Sequence, residues 1–202
     1  MKRLHRGVLL FAASMLCALG ASAQPYPNRP IKLIVADSAG GAPDQLGRLL
    51  AQKLSDGLGQ QVVVDNRAGA GGALGAEMAA KSAPDGYTLL LTTTAIYAIL
   101  PNLRKNLPYD PVKDFVPISR IATASNVLVV NNELPAKDIA ELIKLAKEKP
   151  GALNYASGGV GTPAHLAGEM LNLLADIKVV HVPYKGAAPA LADVIARQRA
   201  NT

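Results

Sequence analysis

The chain has 202 residues, of which 50% are hydrophobic and 18% are charged, and its formal net charge at pH 7 is +6. This length and apolar content suffice to bury one or two cores, so we expect a folded protein. The single cysteine, Cys17, excludes an intramolecular disulfide, and the modest positive charge does not predict a nucleic-acid partner.

The first 23 residues predict a cleaved secretory signal peptide. A basic start is followed by the apolar run from Val8 to Leu19 and by Ala21-Ser22-Ala23, a small-x-small cleavage pattern. The alternative is a membrane anchor, but this run is shorter than the roughly 20 residues that a spanning helix needs. The residues before Cys17 do not form a lipobox, so we expect no lipidation.

Cleavage would leave a mature chain without cysteine. It would also remove three of the 21 basic residues, which leaves 18 against 15 acidic residues and a net charge of +3. Thiol catalysis is thereby excluded for the mature chain. No second long apolar stretch follows, so we expect no stable membrane insertion after cleavage.

One unit recurs along the mature sequence: a β-branched run, a glycine or proline loop, and a stretch with helical period. Its first copy spans residues 31 to 59, where the helix carries a leucine stripe of Leu46, Leu49, Leu50, Leu54 and Leu58. Residues 60 to 86 form the second copy, and YTLLLTT opens a third strand after the turn Pro84-Asp85-Gly86. Strands in such rapid succession, with crossover helices between them, predict a parallel sheet in an α/β fold.

A proline-rich connector separates these copies from a second series. Residues 100 to 122 contain four prolines and mixed charge, which is typical of a surface connection. The pattern resumes at residues 126 to 151, NVLVVNNELPAKDIAELIKLAKEKPG, where we place Pro135 in a first helical turn and a stop at Pro150-Gly151. The buried stripe of that helix is predicted to be Ile139, Leu142, Ile143 and Ala146.

Two further strand-loop-helix units follow, LNYASGGVGTPAHLAGEM at residues 153 to 170 and IKVVHVPYKGAAPALADVIA at residues 177 to 196. We therefore predict two α/β lobes, residues 24 to 122 and 123 to 202, joined near residues 118 to 126.

Two glycine loops end directly at predicted helix N-termini. The first amides of a helix have no internal partner and carry partial positive charge, so such ends attract anions. In the first loop, Gly40-Gly41-Ala42-Pro43 allows close backbone approach to a ligand. In the second, Thr162 is placed to cap the helix that Pro163 opens. The loops suggest a carboxylate clamp between the two lobes.

Several stretches together resemble one family. They are YPNRPIKLIV, GGAPDQLGRLLAQKL, GQQVVVDNRAGAGGALGAE, APDGYTLLL, LPYDPVKDFVPIS, PGALNYASGGVGTPAHLAGEM and VVHVPYKGAAPALADVI. In this order they resemble the periplasmic solute-binding proteins of tripartite tricarboxylate transporters, also called Bug receptors. The resemblance implies a two-lobed periplasmic binding fold of the type II kind, which closes on a small carboxylate or amino acid and delivers it to membrane permease subunits. It implies no cofactor, no metal and no catalytic residue.

The resemblance also implies where the ligand binds. The first loop would contribute Ser38, Ala39, Gly40, Gly41 and, at the helix start, Asp44. The second would contribute Ser157, Gly158, Gly159, Gly161, Thr162 and His165. Weaker candidates are Thr93, Thr94 and Tyr97 after the third strand, and Lys185 in the last loop.

Each candidate has a structural alternative. The glycines also fit plain strand-to-helix turns. Asp44 would repel an anionic ligand, and a carboxylate at a helix N-terminus is favourable by itself, so we favour a structural role unless the ligand bears an ammonium. A histidine one turn into a helix is more often solvated, so only the family motif favours a ligand role for His165. Lys185 could equally be a solvated surface residue. Arg67 could attract anions, although we favour a role in holding its loop.

This sequence departs from the family pattern in its first loop and at its end. Asp37 replaces a more usual apolar or aromatic residue, and Pro43 replaces a common hydroxyl residue, which favours a ligand unlike citrate. Family members continue well past the helix at residues 187 to 196. We therefore expect an incomplete second lobe, from a truncated or frameshifted gene, with a non-functional remnant as one alternative.

Two other function classes are weighed against a transport receptor. The glycines of GAGGALG after the second strand form a relaxed dinucleotide fingerprint, but that signal alone is weak, and no G-x-S-x-G, HExxH or Cys/His metal spacing accompanies it. An enzyme is therefore disfavoured. A receptor that signals to a two-component sensor would use the same closure, and the neighbouring genes would separate the two outputs.

Overall fold

The computed structural model describes residues 25 to 196. The predicted signal peptide, residues 1 to 23, and the polar end at residues 197 to 202 lie outside the described residues. Within them, strands and helices alternate in the order β1 Ile31–Val35, α1 Ala42–Leu58, β2 Val62–Asn66, α2 Ala73–Ala80, β3 Thr88–Leu91, α3 Leu100–Leu103, α4 Ile139–Glu148, β4 Asn154–Ser157, α5 Pro163–Ala175, β5 Val180–Pro183 and α6 Ala187–Ala196. A 3-10 turn at Ala70–Gly72 precedes α2, and a π-helical turn at Ala95–Ile99 precedes α3.

The first three strands form a parallel sheet in the order β2-β1-β3, which confirms the predicted α/β arrangement. Both faces of its central strand are covered. Leu33 and Val35 belong to a cluster with Ala51 of α1. Ile34, between them, is also fully buried, and its register partner Leu90 of β3 packs against a second cluster that includes Ile96 and Leu100. We call this part, residues 25 to 115, the three-stranded unit.

The predicted leucine stripe of α1 is wrong at two positions. Leu49 is 63% exposed and Leu58 is also exposed, whereas Asp44, Gly47 and Ala51 are the buried residues of the helix. The reason is close packing: a Cβ atom at Gly47 would lie 2.8 Å from Val35 Cγ2. The helix therefore turns its small residues to the sheet, and its remaining leucines lie at the margin of the core.

The last two strands form a second parallel sheet, β4-β5, with Tyr155 opposite His181 and Ser157 opposite Pro183. Both predicted strand-loop-helix units are present here, since β4 leads into α5 and β5 leads into α6. We call residues 132 to 196 the two-stranded unit.

Helix α4 begins later than predicted. Pro135 lies outside the helix, because Asp138 caps it by accepting a hydrogen bond from Glu141 N–H at 2.8 Å, while Glu141 Oε2 accepts from Lys137 N–H at 2.7 Å. This reciprocal pairing fixes the first turn at Ile139. Ile139 is then exposed and the buried residues are Leu142 and Ala146, so the predicted stripe is only partly right.

The strand predicted at NVLVV does not form. Residues 116 to 130 carry no regular secondary structure, and Val127 is 79% exposed. A strand requires a neighbouring backbone to pair with, and none of the described residues supplies one to this segment. The segment connects the two units, and the lobe boundary near residues 118 to 126 stays a prediction.

Candidate functional site

The glycine loops of both units lie at the carboxyl ends of parallel strands, and there the two units contact each other. Gly186, after β5, lies against the Ser38 side chain, which follows β1. Gly71 lies against the Val160 carbonyl oxygen, and Gly161 lies against the Leu100 side chain. Ligands of parallel α/β folds bind at these strand ends. The structure thus brings the first loop (residues 37 to 41) near the second loop (residues 157 to 162) through Gly186, which lies against Ser38 and whose N–H donates to Gly158 O at 3.1 Å.

Most amides of the first loop already have partners within the loop. Ser38 N–H donates to Asp37 Oδ1 at 2.6 Å, Gly40 N–H donates to Asp44 Oδ2 at 2.8 Å, and Gly41 N–H donates to Ser38 O at 3.3 Å. Within the described residues, only Ala39 of the four predicted first-loop residues has an amide without such a bond. The first loop is therefore less open to a ligand carboxylate than its sequence predicts.

The side chain of Asp44 holds the first loop in place through its hydrogen bonds. The residue is buried, with 3% of its surface exposed. Its Oδ2 also accepts a hydrogen bond from Arg48 Nε at 3.1 Å. Its Oδ1 lies 3.1 Å from Arg48 Nη2 but forms no well-aligned hydrogen bond. Burial alone raises the pKa of Asp44, but hydrogen bonds from Gly40, Arg48 and Asn66 outweigh it and hold that pKa below its usual value. These contacts favour the structural alternative for Asp44.

The second loop is braced by its own side chains. Thr162 caps α5 as predicted, since its Oγ1 accepts from His165 N–H at 3.3 Å and donates to Gly159 O at 2.8 Å. Ser157 Oγ accepts from Gly159 N–H at 3.1 Å, and His165 Nδ1 accepts from Gly161 N–H at 3.3 Å. His165 is therefore part of the loop rather than a solvated side chain, and its Nδ1 is an acceptor. Gly158 N–H has no partner of this kind among the described residues.

Beneath the second loop lies a polar cluster that the sequence did not predict, formed by Tyr155, His181 and their neighbours. His181 Nε2 lies 2.7 Å from Ser157 Oγ, and its ring centroid lies 4.3 Å from that of His165. Tyr155 stacks on the His181 ring at 4.7 Å and donates to Glu169 Oε1 at 2.6 Å. The cluster arises because the register of β4 and β5 places Tyr155 beside His181. His181 is thus a residue of the site that sequence reasoning missed.

Burial, together with the neighbouring His165, lowers the pKa of His181 below its ordinary value of 6.5. The folded chain then binds this proton less readily than the unfolded chain, so acid favours unfolding. We expect the free energy of unfolding of the wild type to fall as the pH drops from about 7.5 through about 6.5 to about 5.5, and to fall less in His181→Asn. Urea unfolding of both proteins across this range measures the difference. If the free energy of unfolding depended on pH equally in the two proteins, the lowered pKa of His181 would be contradicted.

The four weaker candidates for ligand binding differ in their exposure and contacts. Thr93 and Thr94 are exposed, and Thr93 Oγ1 accepts from Ala95 N–H at 3.3 Å. Tyr97 packs edge-on against Phe115 with centroids 6.0 Å apart, and burial raises its pKa. Lys185 is exposed and forms no ion pair with any described residue. A ligand-binding role for these four residues stays a prediction.

Other features of the described residues lie outside the two loops. Arg67 pairs with Asp65 at 2.8 Å, which supports its role in holding the loop. A cavity of about 340 Å³ is lined by Lys147, Asp176 and Lys178, at the opposite end of β4 and β5 from the second loop. Residues 25 to 196 contain no group of three His, Cys, Asp or Glu placed to hold a metal ion. No helix in that range is long and apolar enough to cross a membrane.

Comparisons with known sequences show which proteins this chain is similar to. A family model described as the tripartite tricarboxylate transporter family receptor matches residues 46 to 201. A protein from the tcbD–tcbE intergenic region of Pseudomonas sp. (strain P51) is 43% identical over 171 residues, 85% of this chain and 51% of that protein. Protein BugT of Bordetella pertussis is 41% identical over 196 residues, 96% of this chain and 60% of that protein.

Solved structures show the same similarity. One described as a periplasmic transporter is 44% identical, with a TM-score of 0.83 over 86% of this chain and 58% of that one. An R. palustris protein with adipate is 37% identical, with a TM-score of 0.84 over 88% of this chain and 59% of that one. MatC of Rhodopseudomonas palustris with bound malate is 31% identical, with a TM-score of 0.80 over 86% of this chain and 59% of that one. The chain spans about half to three-fifths of the length of these relatives.

Proposed function

The chain belongs to the tripartite tricarboxylate transporter receptor family, and from this premise we propose that it is a periplasmic receptor that captures a small carboxylated solute for membrane permease subunits. The family match confirms the resemblance in the sequence, and the neighbours confirm a periplasmic-binding-protein fold, of which this chain covers only part. The observation that carries the proposal is the contact between the two units at their strand ends, where Gly186 lies against Ser38 of the first loop and Gly71 lies against Val160 of the second loop.

A small solute held between these loops would touch both units at once. Binding that bridges two units stabilises their closed arrangement, since the ligand has differential contacts in the closed and open states. The contacts of Gly186 with Ser38 and of Gly71 with Val160 show how little space separates the loops in this arrangement. Neighbours solved with adipate and with malate support a carboxylate as the ligand class.

The glycine fingerprint at residues 69 to 75 has a different use from nucleotide binding. Gly71 packs on the Val160 carbonyl of the second loop, and Gly75 packs on Ala36 at the end of β1. The family and its solved neighbours are binding proteins rather than enzymes. These contacts support a role for the glycines in bringing segments close together.

Thermal unfolding of the chain with a panel of mono-, di- and tricarboxylates and amino acids tests the binding proposal. A ligand of the native state must raise the midpoint, and at one hundred times its Kd it adds about 2.7 kcal/mol of stability. We expect a saturable rise with one chemical class, and none with uncharged sugars as controls. A cooperative transition that no carboxylate or amino acid moves would contradict the proposal, and so would the absence of a cooperative transition. Genes for two membrane subunits beside this gene would support the transport output, whereas a sensor-kinase pair would contradict it.

A further inference from the structure

The first loop carries a carboxylate of its own at the contact between the two units. Asp37 Oδ1 accepts from Ser38 N–H at 2.6 Å and lies 3.3 Å from Ser38 Oγ. A Cβ atom placed on Gly186 would lie 2.7 Å from the same oxygen, and one on Gly41 would lie 3.7 Å from it. Asp37 therefore lies between the N-terminus of α1 and the loop that follows β5, where the proposed ligand enters.

The charge of Asp37 is not matched by a cation of the chain. Asp44 pairs with Arg48, and Asp65 pairs with both Arg67 and Lys32. Among residues 25 to 196, by contrast, no lysine, arginine or histidine lies within ion-pair distance of Asp37. A half-buried carboxylate of this kind repels a second carboxylate and attracts a cation, and the effect is strengthened by partial exclusion of water.

The two sides of the contact between the units, where the ligand is proposed to bind, thus differ in charge. The first loop presents Asp37, and three of its four predicted amide donors are already used, by Asp37 and Ser38 of the loop and by Asp44 of α1. The second side offers the Gly158 amide and Lys185, next to Gly186, neither of which is paired with a described residue. A ligand with a cationic end and an anionic end complements such a cleft better than a diacid does.

We propose that the cleft selects an amino carboxylate, whose ammonium is held by Asp37 and whose carboxylate is held by the second loop. This inference rests on the proposed function, because it assigns the ligand class of the same site. Asp37 is then the residue that determines specificity, and Asp44, which is neutralised by Arg48, shapes the loop without choosing the ligand.

The test uses ligand pairs of equal length that differ in one end group: adipate with 6-aminohexanoate, and succinate with 4-aminobutyrate. Calorimetric titration at neutral pH and low salt measures their Kd values for the wild type, Asp37→Asn and Asp56→Asn. The asparagine at position 37 retains an oxygen that can accept from Ser38 N–H, so only the charge is removed. Asp56 is an exposed residue of α1, and its substitution removes the same charge outside the loop.

We expect the wild type and Asp56→Asn to bind an amino acid at least about tenfold more tightly than its matched diacid, and Asp37→Asn to lose that preference. If the wild type preferred the diacids, or if Asp37→Asn kept the wild-type ratio, the inference would fail while the proposed function stood. If none of the proteins bound any of these four ligands, the inference would fail, and the proposed function would fail with it only if the wider panel of carboxylates and amino acids also left the thermal midpoint unchanged.

Discussion

Gly186→Ala should weaken binding of the cognate carboxylate by about 10- to 100-fold, which corresponds to the 1–3 kcal/mol typical of an overpacked contact. The added Cβ would overlap the Ser38 side chain across the contact between the units and would lie 2.7 Å from Asp37 Oδ1. The units could then approach only if one loop moved. Closure on a ligand requires this approach, so the substitution acts on affinity through the distance between the loops.

Gly186 also has φ of +114°, so an alanine there is strained whatever surrounds it. Gly151→Ala separates the two effects. Gly151 has φ of +78° in the same unit, and a Cβ there would meet only the Lys178 side chain at an ordinary 3.8 Å. Both variants should lose about 1–2 kcal/mol of unfolding free energy to the left-handed backbone. Only Gly186→Ala should lose affinity, and calorimetric titration beside urea unfolding checks both expectations; equal loss of affinity in the two variants would contradict the role of the contact.

Local signals in the sequence predict the features that depend on neighbouring residues. Thr162 followed by Pro163 predicts the start of α5, and the succession of strands with crossover helices predicts that the first three strands are parallel. The position of both glycine loops at helix N-termini, together with the resemblance to the receptor family, also predicts that they belong to the ligand site. The structure brings these loops together, and their binding role stays a prediction.

The features that the sequence misses depend on contacts between distant residues. Leu49 fits a helical stripe, but the rotation of α1 is decided by how closely Gly47 approaches Val35. His181 becomes a neighbour of Ser157 only through the register of β4 and β5, which periodicity cannot supply. The segment NVLVV has the β-branched composition of a strand, but no backbone among the described residues pairs with it. Composition sets the tendency of a segment, and its partner decides the outcome.

The hydrogen bonds of the first loop change how an anion site is inferred from a helix N-terminus. The glycines and the dipole of α1 predict free amides, yet the side chains of Asp37 and Asp44 fold back and occupy two of them. An aspartate beside such a loop competes with a ligand carboxylate for the same donors. The acidic residues within and beside a glycine loop therefore decide whether the loop receives an anion or a cation.

Leu33→Ala should lower the free energy of unfolding by about 2–5 kcal/mol, because the lost side chain leaves a cavity at the centre of the sheet. Leu33 is fully buried on β1, opposite Val64 of β2 and Leu89 of β3, in the cluster that packs on α1. Leu49→Ala on α1 is the matched control, since it removes the same atoms from an exposed position and should change stability by no more than about 0.5 kcal/mol. Urea unfolding of both variants measures the difference. Similar losses would show that α1 packs through its leucine stripe after all, whereas a large loss at Leu33 alone would support the rotation of α1 that leaves Leu49 exposed to solvent.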